Sequence, residues 1–461
     1  MTTEETPLLR NENDTVHDRF SSRRKKVLLT IVSLGSLVTF FTSGTFIPTI
    51  PLIVKELNST EGMISFAVSL YMLANAAGSL IAARYSSFSK DGRRPIYLCW
   101  FPLMIIGSIG VANSQSVTSL MIWRVIQGTG ASPGLSVGAG VIGDIYRLEE
   151  RGTALGIYLC TGLLGYALAP TIGGVTAYYL SWRAVHYIIA TFTFATLISI
   201  VFFFPETKRP GTRGIDEQQR AGIASSRLWP VMLNPLKQLS VLRSPNILAA
   251  SFLNYTGLLT DFALLIPLPY TIGKRYGIDN EALLGACFLP LGFGKAVGAP
   301  LAGWISDKVV STYKKKRGYW YPEDRLRASL FSSFSPLCVL GSGITTKYVP
   351  GTLGLVLNLV CLFFSGVACD LALTPAGAYV VDVLHSKSAE ATASVNTFRM
   401  IATAASSAIL LPMVNAYGYL FMTLVVALVA ISGIGVTILT IANGEAMRKW
   451  VDVGFSTAGN N

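Results

Sequence analysis

Charge is scarce in this sequence. Asp, Glu, Lys and Arg together supply 13% of its 461 residues, about half of what a soluble domain carries. So few charges cannot cover the surface of several water-facing domains, which excludes a soluble reading. Histidine occurs three times and cysteine six. The cysteines, Cys99, Cys160, Cys287, Cys338, Cys361 and Cys369, all fall in apolar stretches without CxxC or Cys/His spacing, which argues against a disulfide framework and a zinc centre. No catalytic constellation stands out either, so the chain reads as neither an enzyme nor a holder of a metal or cofactor. A cleavable leader is also lacking. The start, MTTEETPLLRNENDTVHDRF, is polar and acidic, so the first apolar segment has to act as its own insertion signal.

What is present is apolar. Half the residues (51%) are hydrophobic and 11% are aromatic, with a mean hydropathy of +0.51. The 43 glycines and 21 prolines are a mixture that spanning helices tolerate. The formal charge of +12 raises nucleic acid as a partner, but the bases occur in short runs between long apolar segments: Arg23-Arg24-Lys25-Lys26, Arg93-Arg94, Lys208-Arg209 and Lys314-Lys315-Lys316-Arg317. That is the layout of membrane loops rather than of a basic groove. The partners expected are therefore a lipid bilayer, a small-molecule substrate and protons, with no nucleic acid and a monomeric chain.

A bilayer core takes about 20 mostly apolar residues per helix. Twelve such stretches lie near 27–48, 62–84, 96–113, 118–143, 153–175, 184–204, 247–272, 282–306, 328–346, 352–380, 392–415 and 417–442. The last two are separated by so little that they could merge. The class expected is an all-α membrane protein of twelve transmembrane helices in two six-helix, pseudo-symmetric halves. Its parts are a tail (1–26), a first bundle (27–204), a central loop (205–246), a second bundle (247–442) and a short carboxyl tail (443–461). Lys55, Arg183, Lys274, Arg275 and Lys347 fall on one side, Arg124, Lys295 and Arg399 lie inside spans, and all other Lys and Arg fall on the opposite side. The positive-inside rule then places both termini in the cytosol. Asn58-Ser59-Thr60 lies in the first outward loop, where a glycosylation sequon is usable. Those at Asn13 and Asn254 fall in the cytosol and in a span and read as chance.

Three motifs carry a resemblance. The loop after span two ends in Asp91-Gly92-Arg93-Arg94-Pro95, and span eight ends in Gly303, Asp307 and Lys308. Span four holds Arg124, Gln127, Gly128, Gly130 and Ala131. Span five holds Gly162, Gly165, Ala169, Pro170, Gly173 and Gly174, followed by Trp182-Arg183. In this layout, over nearly the whole length, the chain resembles the major facilitator superfamily, and within it the fungal twelve-span drug:proton antiporters. The resemblance implies that Gly92, Arg93, Arg94, Gly303, Asp307 and Lys308 form a cytoplasmic gate. The first-half motif lacks its acid: counting from the span gives Ser87, counting back from Gly92 gives Ser89. It implies a proton-linked role for Arg124 and assigns Gly165, Pro170, Gly173 and Gly174 to the antiporter motif GxxxGPxxGG, with Ala169 where a second Gly is expected. Gly143-Asp144 to Glu150-Arg151-Gly152, Pro322 to Leu326, and Asn396 to Arg399 extend the likeness. The glycines around Gly128-Thr-Gly130 could form a nucleotide loop, but they sit in an apolar span without a preceding strand, so close helix packing explains them better.

Five ionisable residues lie well inside spans: Arg124, Asp261, Lys295, Asp370 and Arg399. Such residues are functional candidates, with paired structural charges the competing explanation. If spans one, four, seven and ten line the central cavity, as the resemblance implies, Arg124, Asp261 and Asp370 converge. A carboxylate there could alternately take a proton and release it as substrate binds. Lys295 either pairs with an acid or joins Arg124 and Arg399 in holding an anion. His186, at the outer start of span six, reads as an interfacial structural residue. The function expected is a secondary transporter, energised by the proton gradient, that exports drugs or small organic metabolites, organic anions among them, by alternating-access antiport. A proton-coupled nutrient or sugar importer is the alternative: Pro205-Glu206-Thr207-Lys208 fits its loop motif, but span seven lacks a paired Gln-Gln. Glu4-Glu5-Thr6-Pro7-Leu8-Leu9 matches an acidic dileucine vacuolar signal, whereas the resemblance favours the plasma membrane.

Overall fold

In the computed structural model, residues 19–88, 92–146, 148–208, 234–278, 280–384 and 388–451 are described. The dileucine pattern at 4–9, Asn13, Ser89, Asp91, Arg147, Arg209 and most of the central loop lie outside them. Eleven helices among the described residues are long and apolar enough to cross a membrane: Ser22–Glu56, Glu61–Ser86, Arg94–Ala112, Ala154–Tyr179, Trp182–Phe203, Pro245–Gly273, Ala282–Arg317, Glu323–Tyr348, Gly351–Val383, Ala391–Tyr417 and Tyr419–Trp450. They are spans one to three and five to twelve.

Span four is the twelfth crossing, and it is broken. It runs as Val117–Ala131, Pro133–Ser136 and Gly138–Ile145. Pro133 has no N–H to donate back into the preceding turn, which interrupts the ladder there. The junction residues Ser132 (φ −60°, ψ −33°) and Val137 (φ −92°, ψ −33°) nonetheless stay right-handed helical, so the chain continues across. Spans eleven and twelve do not merge. Gly418, at φ +87°, takes a conformation that side chains resist and glycine does not, and it ends one helix and begins the next.

The bundle is apolar on its outside. Ile106, Ile122, Phe194, Leu337 and Leu428 are each more than half exposed, as a lipid-facing surface requires. Its interior carries Thr, Ser and Asn side chains that hydrogen-bond mostly to the carbonyl of the preceding turn, as Thr42 does to Val38 and Ser251 to Ile247.

The two ends of the bundle differ. One carries Arg93, Glu206, Arg325 and Arg448 and is called here the basic end. Two apolar clusters lie toward it. One, with Leu28, Tyr97, Ile142 and Phe204, belongs wholly to the first half. The other, with Ile247, Leu326, Tyr379 and Val383, belongs wholly to the second. A third and larger cluster joins the halves, packing Phe46, Ile50, Val68 and Ile189 with Phe262, Ile266, Phe288 and Leu411. Polar contacts agree: Ser69 and Ser407 share a hydrogen bond of 2.8 Å, Thr171 Oγ1 donates to the Gly285 carbonyl at 2.9 Å, and Lys274 pairs with Glu61 at 3.5 Å. The apolar cluster that joins the halves thus lies away from the basic end, whereas among the described residues the ion pairs at the basic end stay within each half.

Candidate functional site

At mid-depth in the second half a buried charge cluster forms. Lys295 Nζ on span eight lies 2.5 Å from Asp261 Oδ2 on span seven, with the two side chains 3% and 0% exposed. Ser365 donates to Asp261 Oδ1 at 3.4 Å, and Lys295 Nζ lies 3.1 Å from Cys369 Sγ and 5.6 Å from the Tyr166 ring. Asp370, one residue beyond Cys369, is 3% exposed, lies within electrostatic range of both Lys295 and Asp261, and has an Oδ2 with no hydrogen-bond partner. Glycine makes the cluster possible: a Cβ on Gly294 would fall 2.1 Å from the Phe363 carbonyl oxygen, and one on Gly298 2.9 Å from the Val367 Cα. Spans eight and ten therefore approach closely enough to set Lys295 beside Cys369 and within electrostatic range of Asp370. Tyr166, from span five of the other half, stacks edge-on against Phe262 at 6.4 Å, so the cluster borders the interface between halves.

Lys295 therefore pairs with Asp261, and the structure brings together Asp261, Lys295 and Asp370. Arg124 stands apart. It is fully buried within the first half, 4.2 Å from the centre of the Phe46 ring and 4.5 Å from that of Tyr71. Its Nη1 donates to Gln127 Oε1 at 2.8 Å, and Gln127 Nε2 in turn donates to Ser108 Oγ at 2.9 Å and lies 3.4 Å from His186 Nδ1. Among the described residues Arg124 makes no ion pair, and its Nη2 is unpartnered. His186 is wholly buried beside this set, with Trp182 and Phe46 packed against its ring. Arg399 on span eleven interacts electrostatically with Cys369 and has an unpartnered Nε.

The span-five motif serves close packing. A Cβ on Gly165 would lie 2.7 Å from the Leu37 carbonyl oxygen of span one, and one on Gly173 2.6 Å from that of Thr45. Pro170 and Gly174 face the short helix Glu281–Ala286, where a Cβ on Gly285 would lie 3.1 Å from the Pro170 oxygen and 3.2 Å from the Gly174 Cα. Where the motif expects a second glycine, Ala169 meets Gly44 of span one, whose Cβ would come 2.7 Å from that of Ala169. Gly128 and Gly130 pack likewise, a Cβ on them falling 2.5 Å from the Tyr71 oxygen and 2.2 Å from the Met104 nitrogen.

At the basic end the halves carry matching networks. Arg93 binds Asp144 through two nitrogens, at 2.5 and 3.3 Å, and Ser86 Oγ at 3.4 Å. Glu206 accepts from the backbone N–H groups of Arg93 and Arg94, each at 3.0 Å, capping the start of span three where such donors lack helical partners. Arg94 also donates to the Val201 carbonyl at 2.8 Å. In the second half Arg325 pairs with Asp382, with Ser306 Oγ at 3.2 Å and with Asp307 at 3.1 Å, and Glu323 pairs with Arg448. Ser86 thus corresponds to Ser306, which makes residue 87 the counterpart of Asp307. Lys308 turns onto Trp304 at 4.5 Å, and a Cβ on Gly303 would meet open space. Gly92 is held at φ +77°, and its Cβ would lie 2.2 Å from a Glu206 oxygen. Gly92→Ala is expected to lose about 1–3 kcal/mol, read as a lowered melting temperature in detergent; an unchanged melt would show that this cap does not hold the loop. Asn58 is exposed and left-handed (φ +47°) at the opposite end.

Sequence reading passed over Tyr166 and the pairing of Glu323 with Arg448, took His186 for an interfacial structural residue, and weighed Cys369 only against disulfide and zinc chemistry. The signal for the second-half network was the internal repeat: Asp382 ends span ten as Asp144 ends span four.

A profile described as Major Facilitator Superfamily matches residues 32–407. The chain is 25% identical to Citrate exporter 1 of Aspergillus niger over 437 residues, covering 87% of this chain and 82% of that protein. It is 33% identical over 191 residues to MFS antiporter QDR3 of Candida albicans, covering 41% of this chain and 27% of that one. Among solved structures it is similar to a bacterial homolog of the human lysosomal transporter Spinster, in an inward-facing and unoccupied conformation. The TM-score is 0.69 at 13% identity, covering 94% of this chain and 100% of that one. The chain belongs to the Major Facilitator Superfamily and is a membrane transporter of small molecules, not an enzyme.

Proposed function

We propose that this transporter is a proton-coupled exporter that works by alternating access, exchanging an incoming proton for an outgoing neutral or cationic organic molecule. The observation that carries the reading is the arrangement of two buried carboxylates on one lysine. Asp261 neutralises Lys295, so among the described residues a charge on Asp370 has no ion-pair partner of its own. An uncompensated charge at this depth is costly, which leaves a proton or a substrate group as the alternative occupants of that carboxyl. Both termini lie in the cytosol by the distribution of basic residues. The basic end is then the cytosolic end, and the separate apolar clusters there fit a form open to the cytosol. In this orientation a proton taken up outside leaves inside as substrate arrives. The plasma membrane is the favoured site, the monomer the working unit and Asn58 the glycosylation acceptor. The names of the fungal relatives, an exporter and an antiporter, support the direction.

A second reading is favoured by Arg399, whose Nε is unpartnered and which suits an organic anion. Substrate charge then decides the sign of coupling, because an anion beside Asp370 travels with the proton rather than exchanging for it. Growth of a fungal host stripped of its efflux pumps, on drugs and weak organic acids at acidic and neutral pH, tests the proposal. Resistance to neutral or cationic compounds that weakens at neutral pH is the expected result. Unchanged growth across the panel, with the protein at the cell surface, would overturn it. Proton flux into proteoliposomes loaded with the compound found separates exchange from co-export.

A further inference from the structure

Span one opens on four consecutive bases, and the fold divides them. The Arg24 guanidinium, itself exposed, lies over the Phe20 ring at 5.7 Å, and Lys25 Nζ lies over the Tyr146 ring at 5.8 Å; neither lines the groove described next. Arg23 and Lys26, three residues apart and therefore on one helix face, head a groove of about 350 Å3 whose walls are Val27, Thr30, Ile31 and Leu34 of span one and Ser199 and Phe203 of span six. Residues 23, 26, 27, 30, 31 and 34 form one continuous helical stripe, basic at the top and apolar below. Phe203 is 62% exposed and Val27 40%, so the groove opens outward onto lipid. The first turn of span one holds no acid. Among the described residues neither Arg23 nor Lys26 is in an ion pair.

We propose that this groove is a binding site for an anionic phospholipid, with its phosphate between Arg23 and Lys26 and one acyl chain along Val27, Ile31, Leu34 and Phe203. Charge complementarity fixes the occupant. Two cations with no acid paired to them among the described residues attract a net-negative headgroup, whereas a zwitterionic choline lipid would bring its own cation against them. The apolar stripe below is what distinguishes a lipid from a soluble anion. Span six leads within a few residues to Glu206, so a lipid here sits directly behind the cap on span three. Its place in the cytosolic leaflet rests on the orientation proposed above; binding itself does not.

The test uses the full chain in detergent, equilibrated with equal amounts of phosphatidylserine and phosphatidylcholine, with retained lipid counted by native mass spectrometry. Wild type is expected to favour phosphatidylserine by about fivefold or more. Arg23→Gln with Lys26→Gln should abolish that preference, and Arg24→Gln with Lys25→Gln, which removes the same charge outside the groove, should keep it. Absence of the preference in wild type would overturn the proposal. So would its equal loss in both double variants, which would mean general charge rather than a site.

Discussion

Asp370→Asn is expected to abolish uphill transport while leaving a folded protein that still exchanges substrate. In proteoliposomes with an imposed pH difference, coupling to one proton sustains up to about a tenfold substrate gradient per pH unit, since one unit is worth about 1.4 kcal/mol. An amide in place of the Asp370 carboxyl, whose Oδ2 has no hydrogen-bond partner, cannot take up and release that proton, so the gradient should collapse to equality at every pH. Exchange of labelled for unlabelled substrate needs no net proton movement and should persist. That second measurement separates lost coupling from lost folding. A variant that still accumulates substrate in proportion to the pH difference would remove Asp370 from the mechanism and shift the burden to Asp261.

Lys295→Met should be the most destabilising single change in the cluster. It leaves Asp261, fully buried, and Asp370 close to each other with no cation between them. Breaking a buried pair from one side costs roughly 3–5 kcal/mol, while replacing both partners with apolar side chains of similar size is often neutral. Asp261→Leu combined with Lys295→Met is therefore expected to recover most of the melting temperature lost by the single variant, and to remain inactive in coupled transport. Asp261→Asn alone should be milder, because Asp370 is near enough to take over Lys295. If the double variant melts as low as the single one, the pair is not what the lysine contributes.

The helical class and the crossings were legible from apolar run length, which depends only on local composition. The break between spans eleven and twelve was not, because the apolar pattern there is nearly continuous and what ends one helix is Gly418 in the left-handed region, a backbone conformation that run length does not reveal. The charged site was half legible. Intramembrane Asp261, Lys295 and Asp370 announce themselves by cost, but which partner Lys295 takes depends on helix rotation, set by contacts such as Gly294 against Phe363. Arg124 looked like a member of the same site because its depth and charge are visible in the sequence and its direction is not; Phe46, Tyr71 and Gln127 hold it within the first half. The paired networks of Arg93 and Arg325 join residues more than fifty positions apart, beyond any local pattern, and only the repeat offered a route to them.

The contact between Gly44 and Ala169 shows that a sequence motif can be shared by two helices. What close approach demands is a total volume at the crossing point, and span one supplies the small residue that span five does not. The two positions should accordingly behave as a reciprocal unit: Gly44→Ala alone overfills the crossing, while the exchange Gly44→Ala with Ala169→Gly restores it. A motif scored along one segment undercounts members that carry the vacancy on the facing helix, and a search that sums size across the pair would find them.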